Sequence, residues 1–163
     1  MNREELVANL EQFVKLELRV ADLYLLFSTI FPSDKDFWWQ LCVEENNHAA
    51  LLRTGKEHFL EEGFIPDELL RVNVDEFRHS LADVEVLIEK FRQKAPSEKE
   101  ALETALMLEE QVGEAHYQQV MASGSVSASI KLFQTLNQMD KDHATRIRKF
   151  MTDRGHLPLT PSA

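Results

Sequence analysis

The sequence predicts an all-α fold with four core helices and a long helical crossover between the second and the third. Glycine and proline are scarce, with five of each in 163 residues, so long stretches are uninterrupted. These stretches carry apolar residues at heptad-like spacing, which is typical of helices packed on a core. Near the middle of four of them the apolar stripe is broken by an ionisable residue. The four breaks indicate that the helices bring polar groups to one level.

Capping residues and helix breakers set the expected boundaries. Asn2, Ser97 and the Asn73-x-x-Glu76 pattern are N-terminal signals, whereas Gly63 and Gly155 are C-terminal ones. The expected helices run from Arg3 to before Pro32, from after Ser33 to about Glu62, over about 74–94, from Ser97 to near Ser123, and from about Ala128 to Arg154. We expect one domain over 1–156, with the 74–94 helix as the crossover and 157–163 as a frayed tail.

The ionisable residues that break the four stripes are the candidate metal ligands. Glu17 lies about 15 positions before the turn at Pro32, and Glu45 and His48 lie about as far after it. A glutamate of the third core helix and the Asp140-x-x-His143 pattern flank the turn near Gly124 in the same way. The predicted ligand set is Glu17, Glu45, His48, Glu110, Asp140 and His143.

An internal repeat supports this set. A tyrosine follows Glu17 by seven positions at Tyr24, and Tyr117 follows Glu110 by the same interval. A duplicated helical hairpin explains the match. Glu109 competes with Glu110 for the inward position, and the repeat favours Glu110. Both tyrosines are equally well explained as ordinary core residues.

The chemistry of such a cluster favours cations. A carboxylate and a histidine three positions apart project to one side of a helix and can reach the same ion. Four buried carboxylates without a counter-charge would repel one another and would be costly to desolvate. Two divalent cations would remove that cost, and mixed oxygen and imidazole donors suit iron or manganese, with zinc as a further candidate. Two buried hydrogen-bonded pairs without metal are the alternative.

The pattern resembles the ferritin-like di-iron carboxylate proteins, which use one glutamate from each of two helices and Glu-x-x-His from two others. The likeness is strongest to the di-iron domain of rubrerythrins and covers roughly residues 5–152, apart from the crossover. It is carried by Glu17-Leu-Arg-Val-Ala-Asp-Leu-Tyr24 and Glu45-Asn-Asn-His48-Ala49. It implies a ferritin-like four-helix bundle.

The resemblance also implies roles. Glu17 and His48 would bind one iron, and Glu110 and His143 the other. Glu45 and Asp140 would bridge the two ions, while Tyr24 and Tyr117 would hydrogen-bond to ligand carboxylates. The sequence departs from the family in lacking a four-cysteine rubredoxin domain, in placing Gly113 where a further glutamate is usual, and in placing the shorter Asp140 at a bridging position.

The function that the resemblance implies is a non-haem di-iron oxidoreductase, a peroxidase or oxidase that acts on O2 or hydrogen peroxide. Because the chain has only one cysteine, an external electron donor would be needed. Iron binding or storage with ferroxidase activity, and a metal-free structural helical module, are the alternatives.

Composition excludes other classes of function. The chain has 18 basic and 28 acidic residues and no basic patch, so nucleic acid is not an expected partner. No signal-peptide pattern and no apolar run of membrane-spanning length is seen, which predicts a cytoplasmic protein without a membrane partner. Apolar residues off the main stripe of the first helix, such as Val14 and Leu25, suggest a homodimer.

Overall fold

The fold is described by a computed structural model that covers residues 3–62, 74–121 and 128–156. Parts of these helices are described by their backbone alone: 3–6, 58–62, 74–77, 111–121, 128–130, 132–134, 136, 137 and 140. Within the described ranges every long element is an α-helix, so the predicted all-α class is confirmed. The helices are α1 (Arg3–Ile30), α2 (Lys35–Glu62), α3 (Val74–Gln93), α4 (Glu98–Met121) and α5 (Ala128–Asp153), with a 3-10 turn at Pro32–Asp34.

Two of the predicted helix ends are explained by local hydrogen bonds. At the start of α4 the Ser97 hydroxyl accepts the backbone N–H of Glu100 at 3.1 Å, which satisfies one of the unpaired donors of the first turn. After α5 the chain turns at Gly155, whose φ of +75° lies in the left-handed region that glycine adopts without steric cost. The N–H of His156 donates to the Met151 carbonyl at 2.7 Å, and Gly155 donates to Thr152 at 3.0 Å, as in a Schellman motif.

The helices pack mainly as two pairs, α1 with α2 and α4 with α5. The 3-10 turn lets α2 fold back along α1, and α5 packs along α4. α3 lies on α1, and α2 also contacts α5. The signals predicted at Gly63, Asn73 and Ser123–Ser125, and the predicted tail at 157–163, lie outside the described residues.

A group of aromatic side chains fills the core at the end nearest the first turn. Trp38 is fully buried, its ring centroid 4.9 Å from that of Phe27 and 6.0 Å from that of Tyr24. Phe91 of α3 packs on Phe27 at 5.6 Å, and Phe37 stacks on Phe150 of α5 at 4.0 Å. These contacts join α1, α2, α3 and α5 at one end, one to two helical turns from the ionisable cluster.

Among the described helices, none combines the length and the apolar character that crossing a membrane requires.

Candidate metal centre

A buried group of one carboxylate and two imidazoles lies in the core where α2 meets α5. Glu45, His48 and His143 each offer one ligand atom, and the three atoms lie within 4.8 Å of one another. All three residues are no more than 2% exposed. This group could hold a metal ion, and it contains three of the six predicted ligands.

Helix periodicity explains why these polar residues are buried. Along α2 the inward positions recur every three or four residues, and the polar pair takes its turn between apolar ones: Trp38, Leu41, Glu45, His48 and Leu52. On α5 the same holds for His143, which is followed by the buried Ile147 and Met151. The apolar neighbours fix the rotation of each helix, and that rotation carries the ionisable side chains inward.

Glu45 lies between the two histidines and gives one oxygen to each. Its Oε2 is 3.0 Å from Nδ1 of His48, and its Oε1 is 2.8 Å from Nδ1 of His143. Each Nδ1 also faces a second carboxylate: Glu17 Oε2 is 3.7 Å from His48, and Glu109 Oε2 is 3.3 Å from His143. The cluster is therefore two triads that share Glu45, with the imidazole rings stacked at 5.1 Å.

The distances within the triads match those expected for two ligand atoms that share one ion. Glu45 Oε1 and His143 Nδ1 are 2.8 Å apart, yet within the described part of the chain neither atom has a hydrogen-bond partner. Two ligand atoms that sit at right angles about one ion, each at a bond length of ~2.1 Å, are about 3 Å apart. The donor set of imidazole nitrogen and carboxylate oxygen is also one that first-row transition metals bind.

Without an ion, the histidines and carboxylates must neutralise one another. Burial alone would lower the pKa of His48, but the adjacent Glu17 and Glu45 raise it to about 11. Burial acts in the same direction on His143, and Glu109 and Glu45 raise its pKa to about 10. Burial would raise the pKa of Glu45, but the two histidines hold it far below its usual range. In the metal-free protein, two imidazolium groups thus supply the positive charge that bound metal ions would otherwise supply.

Tyr24 joins the cluster through the third carboxylate. Its hydroxyl donates to Glu109 Oε1 at 2.5 Å, across the interface between α1 and α4. Burial, together with the neighbouring Glu109, raises the pKa of Tyr24 well above its usual value, so the phenol keeps its proton. The sequence analysis expected Tyr24 to hydrogen-bond to a cluster carboxylate, and this contact is present.

The inward glutamate of α4 is Glu109, which corrects the preference for Glu110. Glu109 is 6% exposed, whereas the side chain of Glu110 is 38% exposed and pairs with Arg148 of α5. The buried face of α4 is set by Leu102 and Ala105, which are fully buried. Glu109 continues that face at seven and four positions on, and Glu110 is rotated about 100° away from it. The spacing to Tyr117 favours Glu110, whereas the apolar residues upstream place Glu109 on the buried face.

Two of the predicted site residues, Asp140 and Tyr117, have side chains outside the described part of the structure. Asp140 lies on the helical backbone of α5, and Tyr117 lies on that of α4. The roles predicted for them as a bridging ligand and as a hydrogen-bonding tyrosine stay predictions.

The sequence analysis missed Glu44 and Arg146, which lie at the edge of the cluster. Glu44 Oε2 is 2.8 Å from Nε2 of His143, and Arg146 of α5 holds the same carboxylate with both of its terminal nitrogens. The positions of both residues in the sequence indicate that they lie beside the cluster. Arg146 lies one turn after His143, on the side where α5 meets α2, and the adjacent acidic pair Glu44–Glu45 must point one member away from the core.

Comparisons of the chain with models of protein families, with curated proteins and with solved structures find no match.

Proposed function

We propose that this chain is a di-metal carboxylate protein, most simply di-iron, that carries out redox chemistry on O2 or hydrogen peroxide with electrons from an external donor. The observation that carries the proposal is the pair of triads that share Glu45. Each triad offers one imidazole nitrogen and carboxylate oxygens from two residues, so each has the donors of one ion site.

In the proposed centre, Glu17 and His48 would hold one ion, Glu109 and His143 would hold the other, and Glu45, which contacts both histidines, would contribute to both sites. Glu109 thus takes the role that the resemblance gave to Glu110. Asp140 remains the candidate for a second bridge. The proposal includes a ferritin-like four-helix bundle formed by α1, α2, α4 and α5, with α3 as the crossover. Its support is that side chains from all four of these helices meet in the cluster.

The bound ions would supply electrons and Lewis acidity to an oxygen species. The chain's own contribution is to exclude water and to fix charge. The ligand side chains are at most 6% exposed, and the phenol of Tyr24 fixes the carboxylate of Glu109 by a hydrogen bond.

A metal-free charge cluster is the competing interpretation, and the pKa values of the histidines show how such a cluster could be neutral without metal ions. The raised pKa values of His48 and His143 allow both imidazoles to neutralise the carboxylates as cations. The two interpretations differ in one measurable property, which is the metal content of the folded protein.

Elemental analysis of freshly purified protein and of protein loaded with Fe²⁺ under anaerobic conditions tests the proposal. We expect about two iron or manganese atoms per chain, and their loss in a Glu45→Ala/His143→Ala variant. Glu110→Ala is the matched control, because it removes a carboxylate one position from Glu109 that pairs with Arg148 outside the cluster. Absence of stoichiometric metal from the wild-type protein after loading would establish the metal-free interpretation.

Activity is tested on the iron-loaded protein. We expect consumption of O2 or peroxide that depends on an added donor and is abolished by chelation. Full iron loading without turnover across several donors would instead favour iron handling, and assembly into a large cage on size-exclusion chromatography would favour storage.

A further inference from the structure

Glu44 and Glu45 are neighbours on α2, but their carboxylates do different things. Glu45 is buried between the two histidines, while Glu44 is partly exposed at the inner end of a surface cleft. The cleft, of about 390 Å³, lies between α2 and α5. It is lined by Glu44, Met139, Asp142, His143, Thr145 and Arg146. His143 therefore contacts the proposed centre with one ring edge and borders this cleft with the other.

Arg146 and Gln40 hold the carboxylate of Glu44 in place beside His143. Arg146 donates from Nη1 to Oε1 at 3.1 Å and from Nη2 to Oε2, in the forked geometry that guanidinium and carboxylate groups favour. Gln40, one turn earlier on α2, donates to Oε1 at 3.1 Å. Arg146 is a cation throughout the working pH range, and its forked contact with Glu44 is one between a guanidinium group and an ionised carboxylate.

A fixed carboxylate at Nε2 decides which ring nitrogen of His143 can bind a metal. An ionised carboxylate only accepts hydrogen bonds, so the nitrogen 2.8 Å from Glu44 Oε2 must carry a proton. Nδ1 is then the nitrogen with a free lone pair once an ion displaces its proton. Nδ1 is the atom that faces Glu45 at 2.8 Å and Glu109 at 3.3 Å. Partners of this kind fix the ring orientation of metal-binding histidines and raise their basicity.

We propose that Glu44, anchored by Arg146, is a positioning residue that fixes the tautomer and orientation of His143 in the metal centre. This inference rests on the proposed function, because it gives Glu44 a role only where His143 binds an ion. In this role the carboxylate of Glu44 contacts His143 from the cleft side and binds no metal itself.

The test compares Glu44→Gln with Glu110→Gln. Both substitutions neutralise a partly exposed glutamate that pairs with an arginine of α5, but only Glu44 contacts a histidine of the cluster. Zn²⁺ alone is the probe, since it is redox-inert, and its affinity is measured by competition with a chromophoric chelator. We expect a loss of about 10- to 100-fold for Glu44→Gln, the usual effect of removing such a partner, and no change for Glu110→Gln.

A spectroscopic readout separates positioning from a general structural effect. In the Zn²⁺-loaded protein with ¹⁵N-labelled histidine, the Nε2–H proton of His143 should be seen and slow to exchange in the wild type. It should shift and exchange faster in Glu44→Gln, while Glu44→Asp should recover part of the affinity and of the protection. Helical circular dichroism identifies any variant that has failed to fold, and Arg146→Lys then provides a milder substitution with the same expected direction.

Every outcome decides the role of Glu44. Zn²⁺ binding by the wild type with unchanged affinity in Glu44→Gln would overturn it and leave the proposed function standing. Weaker binding with an unchanged Nε2–H signal would also overturn it, because the effect would not act through His143. Failure of the wild-type protein to bind any metal would overturn the proposed function, and the role of Glu44 with it.

Discussion

In the described part of the chain, two clusters combine acidic side chains with histidines, and their counter-charges differ. At one end Asp34, Glu98, Arg154 and His156 form a clasp, where the segment before α2 meets the start of α4 and the end of α5. At mid-helix, Glu17, Glu45 and Glu109 meet His48 and His143. In the clasp Arg154 pairs with both acids. In the centre the partners that the structure gives Glu45 and Glu109 are histidines and Tyr24.

The difference separates a structural ion cluster from a binding site. An arginine keeps its charge throughout the working pH range, so Arg154 neutralises the acidic side chains of the clasp at any working pH. Imidazole is a cation only while protonated, and as a neutral group it is a metal ligand. The proposed centre would therefore exchange protons for metal ions, whereas the clasp would not. The predictions below test this contrast, from the largest expected effect to the smallest.

Metal should stabilise the fold through the centre and not through the clasp. With free metal at 1,000 times its Kd, the added stability is about 4 kcal/mol. For a chain of this size, that corresponds to a rise in Tm of roughly 8–16 °C. Thermal denaturation with Zn²⁺ and with a chelator measures the rise, which Arg154→Met should retain and Glu45→Ala/His143→Ala should lose. An equal Tm in both conditions for the wild type would show that the centre binds no ion.

Glu45→Gln should destabilise the metal-free protein by about 3 kcal/mol, because it leaves two buried imidazoles without their shared counter-charge. Burial would then lower the pKa of His48 and His143, which Glu45 now helps to raise. Urea denaturation at pH 7 in the presence of a chelator measures the loss. A change within 0.5 kcal/mol, the usual range for a surface substitution, would mean that Glu45 is not the shared partner.

The affinity for metal should rise with pH. The pKa values of His48 and His143 are raised to about 11 and about 10, so both rings hold an extra proton at pH 7 in the metal-free protein. An ion must displace one proton from its histidine, so the affinity rises as pH rises and becomes constant only above the raised pKa. The slope is about 1.4 kcal/mol per ion for each pH unit. Calorimetry in buffers of different ionisation enthalpy counts the protons, and no release would contradict the assignment of these histidines as ligands.

The sequence predicted the helices and the buried residues of the centre better than the contacts between helices at its edge. Helix positions follow from scarce breakers and regular apolar spacing, so α1 to α5 were found with ends close to those observed. Glu45, His48 and His143 were predicted because an ionisable residue within an apolar helix stripe is buried together with that stripe. Glu44 and Arg146 are 102 positions apart on two helices, so spacing along one helix indicates the face on which each lies but not that they meet.

The clasp was missed for a related reason. His156 follows the end of α5, and the turn at Gly155 brings it back to Glu98 at 3.1 Å. Sequence spacing predicts which face of a helix a residue occupies. It does not predict where a residue beyond the helix end will be carried, because that depends on the turn and on the neighbouring helix.

Removing the clasp's cation should cost less than removing the centre's shared carboxylate. Arg154→Met leaves Asp34, which is 7% exposed, without its guanidinium partner, and we expect a loss of about 1–2 kcal/mol. The loss should be the same with and without metal, as measured by urea denaturation in both conditions. A metal-dependent loss would show that the clasp and the centre are coupled, contrary to the contrast drawn here.

The smallest effect is expected for Glu110→Gln. Its ion pair with Arg148 is 38% and 44% exposed, and pairs of that kind contribute at most about 1 kcal/mol. Glu109→Gln changes the same atoms one position earlier, but it removes the charge that faces His143 and accepts the proton of Tyr24. Metal content, measured on both variants by elemental analysis, should therefore fall only for Glu109→Gln. Loss of metal from Glu110→Gln alone would restore the choice that the sequence repeat favoured, since the outward rotamer would then have to turn inward when an ion binds.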